Sequence, residues 1–472
     1  MHFKMIRTRI APSPTGFPHI GTVYQAMLDK AYAKKHHGQF FIRIEDTDRQ
    51  RFVKGAEEKI YQALDWFGLT EDISPRKPDN LGPYRQSERL KIYQKYAQEL
   101  VKEGKAYYCF CSKERLETMR KEQQTVKKPP LYDQTCRKLS HAVIQENLKK
   151  NIPYVIRMKI PKNRQIKTND IIHKNLVFNS NLIDDQVILK SDGYPTYHLA
   201  VVVDDHLMKT SHVVRGPEWL PSYPKHLLLY EYLDFKPPQF VHTPLITNMD
   251  GSKMSKRHGH ANVDWYRENG FLPEAILNFL ALLGWSHPQE KEIFSYDEFC
   301  QSFDFKDLNP ISPKFNLEKL EWLNGEYLRQ MPAEKLLEKL KQYLDEYGQI
   351  KLTETQIKST VPLVQTRMKK LSDYWPLVEF IFEQPAKVDF PISFLKQAQS
   401  ELFKTYEQIE WNHQEIYSKT EQIAKKLAIK PVKLYMDIRF ALSNQKVTAP
   451  LFESLEIIGR KETLKRLKSV LV

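Results

Sequence analysis

Two short stretches carry residue types that handle phosphate. In Pro18-His19-Ile20-Gly21-Thr22, a histidine and a glycine stand where a helix should begin. Helix N-termini present unpaired N–H groups and partial positive charge, a ready seat for phosphate. Gly21 lets a ligand approach the backbone closely, and His19 adds a donor. The second stretch is Asp250-Gly251-Ser252-Lys253-Met254-Ser255-Lys256-Arg257-His258-Gly259. Its Gly- and Ser-containing loop carries three cations, Lys253, Lys256 and Arg257. Such a loop can close on a triphosphate and stabilise charge building on a departing pyrophosphate. Taken singly, the first reads as readily as a structural histidine and the second as a solvated basic loop; the pair is more specific. Nothing resembles a covalent Ser/His or Cys/His site. The chemistry expected is positioning and charge stabilisation.

Cysteines form a third constellation. Cys109-x-Cys111 is followed, after 24 intervening residues, by Cys136, and Cys300 stands apart. Thiolates clustered in this way suit zinc. Tyr132, four residues before Cys136, and His141, five after it, are the candidates for a fourth ligand. Reduced core thiols are the alternative.

These residues need a scaffold. Met5–Ile10 reads as a strand that stops at the proline-rich Ala11–Gly16. From Thr22 the pattern is helical, with Val23, Ala26, Met27 and Ala31 on one face and Gly38 at the expected C-cap. Phe40, Ile42 and Ile44 alternate as a second strand, completing a βαβ unit. It lacks G-x-G-x-x-G, which disfavours a dinucleotide site. Residues 85–120 read as helical, and 121–170 as a Lys- and Pro-rich insertion. Val187–Leu189 and Leu199–Val203 read as buried parallel strands resuming the first sheet, with a helix over 217–232. From about residue 265 helical periodicity dominates.

The chain has 472 residues with 72 Lys+Arg against 58 Asp+Glu, a net charge of +14. That length implies several domains. Residues 102–167 hold 17 Lys/Arg against 6 Asp/Glu, and residues 411–472 hold 12 against 6. Two separated basic regions fit a long polyanion touched twice, or two solvated faces. No apolar run reaches the roughly 18 residues of a membrane helix, and the N-terminus reads as no secretion signal. A cytoplasmic protein without a membrane partner is expected.

His19-Ile20-Gly21-Thr22 resembles the HIGH signature of class I aminoacyl-tRNA synthetases, and Lys253-Met254-Ser255-Lys256-Arg257 resembles their KMSKS signature. The stretches Arg9–Gly16 and Arg43-Ile44-Glu45-Asp46-Thr47-Asp48 resemble the glutamyl and glutaminyl branch, and Leu189–Ala200 and Val203-Asp204-Asp205-His206 resemble its glutamyl members, of bacterial type. The resemblance covers essentially the whole chain. It implies an α/β, Rossmann-like catalytic domain split over 1–100 and 185–248. An acceptor-stem-binding insertion then spans 101–184, a stem-contact region with the KMSKR loop spans 249–330, and an all-α anticodon-binding domain spans 331–472.

The implied reaction activates L-glutamate with ATP and Mg2+ and transfers it to the 3′ end of tRNA(Glu). The implied catalytic residues are His19, Lys253 and Lys256. Arg9, Ser13, Glu45, Tyr197 and Arg215 would take glutamate. His19, Gly21, Thr22, Glu218, Lys253, Ser255, Lys256 and Arg257 would take ATP, and Arg367, on a helix of the tail, the anticodon. The resemblance also implies a monomer with zinc on Cys109, Cys111 and Cys136. A Tyr-x3-Cys arrangement like Tyr132–Cys136 occurs in the glutamyl-queuosine branch, which lacks the helical tail. The chain departs from its relatives at Val201, where many have Asn, at Pro217, where many have Glu, and at Lys138, where a zinc-binding His is usual. A pair such as Arg9–Glu45 could equally be a plain salt bridge.

Overall fold

The computed structural model describes residues 5–127, 129–254, 259–348 and 350–471. They divide into two compact units, Met1–Trp265 with Leu277–Asn316, and Tyr266–Ile276 with Leu317–Val472.

The first unit opens with β1 (Arg7–Ile10), α1 (Ile20–Lys35) and β2 (Gln39–Ile42). The two strands pair in parallel, Arg7 opposite Gln39 and Ile10 opposite Ile42. His19 caps α1, its Nδ1 accepting the Gly21 N–H at 3.0 Å. Val23, Ala26, Met27 and Ala31 are buried as the spacing predicts. The end of α1 differs from expectation. His36 is the C-cap, His37 takes the positive φ of 52°, and the Gly38 N–H returns to the Ala33 carbonyl. Gly38 is needed for a close approach instead, because a Cβ there would collide with the Ile6 carbonyl.

α2 (Ala56–Trp66) and α3 (Leu90–Lys102) follow. After α3 come β3 (Ala106–Cys109), α4 (Lys113–Thr125), α5 (His141–Lys149), β4 (Val155–Met158), the hairpin β5 (Gln165–Asp170) and β6 (Lys174–Asn179), and β7 (Val187–Leu189). The expected continuous helix over 85–120 is therefore broken by β3. The parallel reading of Val187–Leu189 is also corrected. β7 pairs antiparallel with β4, in a sheet of order β3-β4-β7.

Leu199–Val203 is not a strand at all but the middle of α6 (Tyr197–Leu207). A short apolar run buried on every side has no periodicity to separate strand from helix. The strands that continue the parallel arrangement are β8 (His212–Arg215) and β9 (Gln239–His242), joined by a 3-10 turn at Pro217–Ser222 and α7 (Tyr223–Tyr232). β8 runs beside β1, the Ser211 N–H donating to the Arg7 carbonyl at 2.9 Å.

Among the described residues no strand follows His242. The second unit is helical, built on Leu336, Leu340, Tyr374, Leu395, Tyr406, Ile438 and Leu467. Buried hydroxyl pairs fix its packing, Thr360 with Tyr374 at 2.6 Å and Tyr406 with Thr420 at 2.7 Å. Among the described residues no helix is long and apolar enough to cross a membrane.

Two charges end the apolar run of α6. Asp204, fully buried, accepts from Arg89 Nε at 2.7 Å, Tyr93 Oη at 2.8 Å and Gln86 Nε2 at 2.9 Å. Asp205 takes Arg9 and Arg43. These contacts tie α6 to α3 and to both opening strands. Asp204→Ala would leave Arg89 and Arg43 buried beside an apolar gap, and breaking a buried ion pair this way costs about 3–5 kcal/mol. Denaturant unfolding of Asp204→Ala is expected to show a loss of that size; a loss under about 1 kcal/mol would contradict the anchoring role.

Candidate active site

The carboxyl ends of parallel strands are where α/β folds place ligands. Here Arg9 lies near the end of β1, Glu45 just beyond β2 and Arg215 at the end of β8. With Ser13 from the proline-rich loop and Tyr197 from the start of α6 they line one cavity of about 570 Å³. All five residues expected to take the amino acid are therefore brought together. The contemplated Arg9–Glu45 pair is not what forms. Arg9 Nε and Nη2 grip Asp205 at 3.1 and 3.0 Å, while Glu45 accepts from Arg43 Nη2 at 3.2 Å. Burial alone would raise the Asp205 carboxyl, but Arg9 and Arg43 pull it down to about 2. Burial wins at Glu45, raising its carboxyl to about 7 against the pull of Arg43 and Arg9.

Arg215 differs from these. It is 4% exposed, and no carboxylate contacts it among the described residues. Nε and Nη1 donate to His242 and His226, each at 2.9 Å, and Nη2 finds no hydrogen-bond partner. Burial lowers its pKa, partly offset by the nearby Tyr197 hydroxyl. A buried guanidinium in this state can take an anion.

A second cavity of about 810 Å³ adjoins the first, sharing Gln25, Arg51 and Trp219. His19, Gly21, Thr22, Glu218 and Lys253 line it. Because His19 Nδ1 accepts from the backbone, its neutral ring carries the proton on Nε2, the nitrogen that can donate to phosphate. Ser255, Lys256 and Arg257 lie outside the described residues. Pro217 opens the 3-10 turn, and Glu218 folds back over Gly216, where a Cβ would strike its carboxylate. Val201 is 2% exposed and packs in the core with Leu199 and Val203, away from both cavities.

The cysteine cluster is separate. The sulfurs of Cys109, Cys111 and Cys136 lie within 4.8 Å of one another. Tyr132 Oη is 3.5 Å from Cys109 Sγ and 3.3 Å from Cys111 Sγ. His141 lies at the exposed start of α5, bonded to Gln145. Of the two candidate fourth donors, Tyr132 is the one in place. Arg115 Nη1 reaches Cys111 Sγ at 3.4 Å, and the Arg157 guanidinium lies 4.1 Å from the Tyr132 ring centre. Three thiolates, a phenol oxygen and two flanking guanidiniums fit a divalent cation in both donor type and charge.

Arg367 is in the second unit. It stands on the turn after the helix Glu354–Val364 rather than on a helix as expected, its Nη1 donating to the Thr448 carbonyl at 3.0 Å.

Residue patterning did not single out Arg43, Asp170, His226 or His242 as site residues. The available signal was a charge or imidazole inside an apolar run, as in His226-Leu227-Leu228-Leu229.

A family model for the catalytic domain of class I tRNA synthetases (E and Q) matches residues 5–322, and an anticodon-binding-domain model matches 335–471. The glutamate–tRNA ligase of Acidothermus cellulolyticus is 42% identical over 98% of this chain and 95% of its own. That of Thermus thermophilus is 41% identical over 99% and 100%. A crystal structure of the glutamate tRNA ligase of Elizabethkingia meningosepticum, in complex with its amino acid, is 34% identical with a TM-score of 0.90 over 99% of each chain. The chain thus belongs to the class I tRNA synthetases, and within them to the glutamate–tRNA ligase family.

Glu45 supplies a direct check on the site's electrostatics. Its folded pKa lies above the unfolded value, so its favourable contribution is complete below about 4.5 and lost as pH rises through about 7. Glu45→Gln is therefore expected to gain stability relative to the parent between pH 5 and 8, and to lose one proton step near pH 7 in a difference titration. A Glu45 step below pH 5 would contradict the assigned burial.

Proposed function

We propose that this chain activates L-glutamate with ATP and transfers it to tRNA(Glu). The first cavity takes glutamate: Arg215 meets the side-chain carboxylate, Glu45 the ammonium, and Arg9, Ser13 and Tyr197 complete the walls. The second cavity takes ATP, with Mg2+ on its phosphates. His19 and the N-terminus of α1 face the phosphates, Thr22 and Glu218 line the nucleotide's walls, and Lys253, Ser255, Lys256 and Arg257 close over the leaving pyrophosphate. The glutamate carboxylate attacks the α-phosphorus and pyrophosphate leaves. The 2′-hydroxyl of the terminal adenosine then attacks the acyl carbon and AMP leaves. In this reading residues 101–184 receive the acceptor stem and residues 249–330 the stem beyond it. Residues 331–472 receive the anticodon, which Arg367 contacts. The enzyme works as a cytoplasmic monomer.

The observation that carries the reading is Arg215, a buried guanidinium without a carboxylate at the wall of a pocket beside a phosphate-type site. A carboxylate substrate satisfies it, whereas an amide presents N–H donors to a donor. Pyrophosphate exchange that requires both glutamate and tRNA tests the whole reading. In that assay Arg215→Ala is expected to raise the KM for glutamate by about a hundredfold and to narrow the preference over glutamine. An unchanged preference would contradict the pocket assignment.

Zinc in this reading is held by Cys109, Cys111, Cys136 and Tyr132, where it would crosslink the insertion. Metal analysis is expected to give about one zinc per chain. Cys109→Ser should lower both that ratio and tRNA charging. A metal-free protein with full charging would show that the thiols are simply reduced core residues.

A further inference from the structure

An arginine side chain only donates, so the nitrogens that Arg215 contacts on His226 and His242 must accept. The proton of each neutral ring then sits on the far nitrogen, and each far nitrogen has a matching acceptor. His242 Nδ1 is 2.7 Å from Asp170 Oδ2, and His226 Nε2 is 3.0 Å from His198 Nδ1. The links Asp170–His242–Arg215–His226–His198 form one donor–acceptor sequence, without a second proton or a missing one at any joint. His242 and Asp170 are fully buried and His226 is 1% exposed. Asp170 is itself fixed, accepting the backbone N–H groups of Ile172, His173 and His242. The negative charge of this chain thus sits one imidazole away from the guanidinium, where it orients His242 without pairing with Arg215.

We infer that His226 and His242 are positioning residues that set the preference for a carboxylate substrate by orienting Arg215 through neutral acceptors, which leaves its Nη2 and its charge for the ligand. This deepens the proposed function and rests on Arg215 meeting the glutamate side chain. Physical chemistry favours an imidazole here over the obvious alternatives. A carboxylate at either position would grip the guanidinium, and an incoming carboxylate would meet an already neutral pair. An apolar side chain would strand a buried N–H and let the guanidinium swing. A neutral ring with one acceptor nitrogen avoids both outcomes.

The test compares His226→Gln, His226→Leu and His226→Glu in tRNA-dependent pyrophosphate exchange, with kcat and KM measured for glutamate and for glutamine. His226→Leu is expected to raise the KM for glutamate about tenfold or more with kcat nearly constant, the size expected for losing a hydrogen bond to a charged group. His226→Glu should lose at least about tenfold of the glutamate-over-glutamine preference, because the new carboxylate would neutralise the guanidinium before the ligand arrives. His226→Gln offers a carbonyl to Arg215 and an amide to His198, and should recover most of the preference. His242→Gln and His242→Leu give the same comparison at the other imidazole, so that failure to fold at one position leaves the other decisive. Equal preference in the Gln, Leu and Glu variants, with Arg215→Ala still narrowing it, would overturn the inference and spare the proposed contact between Arg215 and the glutamate side chain. An Arg215→Ala enzyme with parental KM and preference would remove that contact itself.

Discussion

The candidate pocket is organised around Arg215, a buried positive charge that touches no carboxylate among the described residues. Arg9, Arg43 and Arg89 are opposed by Asp204, Asp205 and Glu45, so those charges close among themselves when Glu45 is ionised. Arg215 is a further buried cation and makes its two hydrogen bonds to histidines. A ligand with two carboxylates and one ammonium carries a net charge of −1, which is what the pocket lacks. Charge selection in this site is therefore a property of the whole buried set, since each neighbouring arginine must be neutralised for the last one to matter.

The fold meets that demand by bringing together segments far apart in sequence. Asp205 sits on α6, Arg9 on β1 and Arg43 just past β2, and their ion pairs hold the strand ends on which Glu45 and Arg215 depend. The same strand ends bring the α1 N-terminus alongside, where His19 and Gly21 line the adjoining cavity. In the proposed reaction the amino acid and the triphosphate must meet, and the wall of Gln25, Arg51 and Trp219 that the two cavities share would set their pockets side by side.

Much of this site was legible in the sequence because its charged residues, histidine and glycine stand in recognisable stretches where strands end and helices begin. His19, Gly21, Glu45, Arg215 and Lys253 were all named from spacing or resemblance, and the structure lines the two cavities with them. The βαβ opening was legible from its alternation and its proline stop. What stayed hidden was burial on all sides. Leu199–Val203 has no polar face, so nothing in its pattern distinguishes the helix it forms from a strand. The partners of Arg9 and Arg215 were hidden for a related reason. Asp205, His226 and His242 are distant in sequence, and pairing across the fold leaves no local trace.

In the proposed function the pocket selects a negatively charged side chain because Arg215 touches no carboxylate among the described residues. Competition by glutamine against glutamate in tRNA-dependent pyrophosphate exchange, with the unmodified enzyme at near-physiological salt, measures that selection. The inhibition constant for glutamine is expected to exceed the KM for glutamate by on the order of 10⁴, the discrimination available to a buried polar group left unpaired. An inhibition constant within about tenfold of that KM would contradict it, since a gap so small needs no buried charge at all.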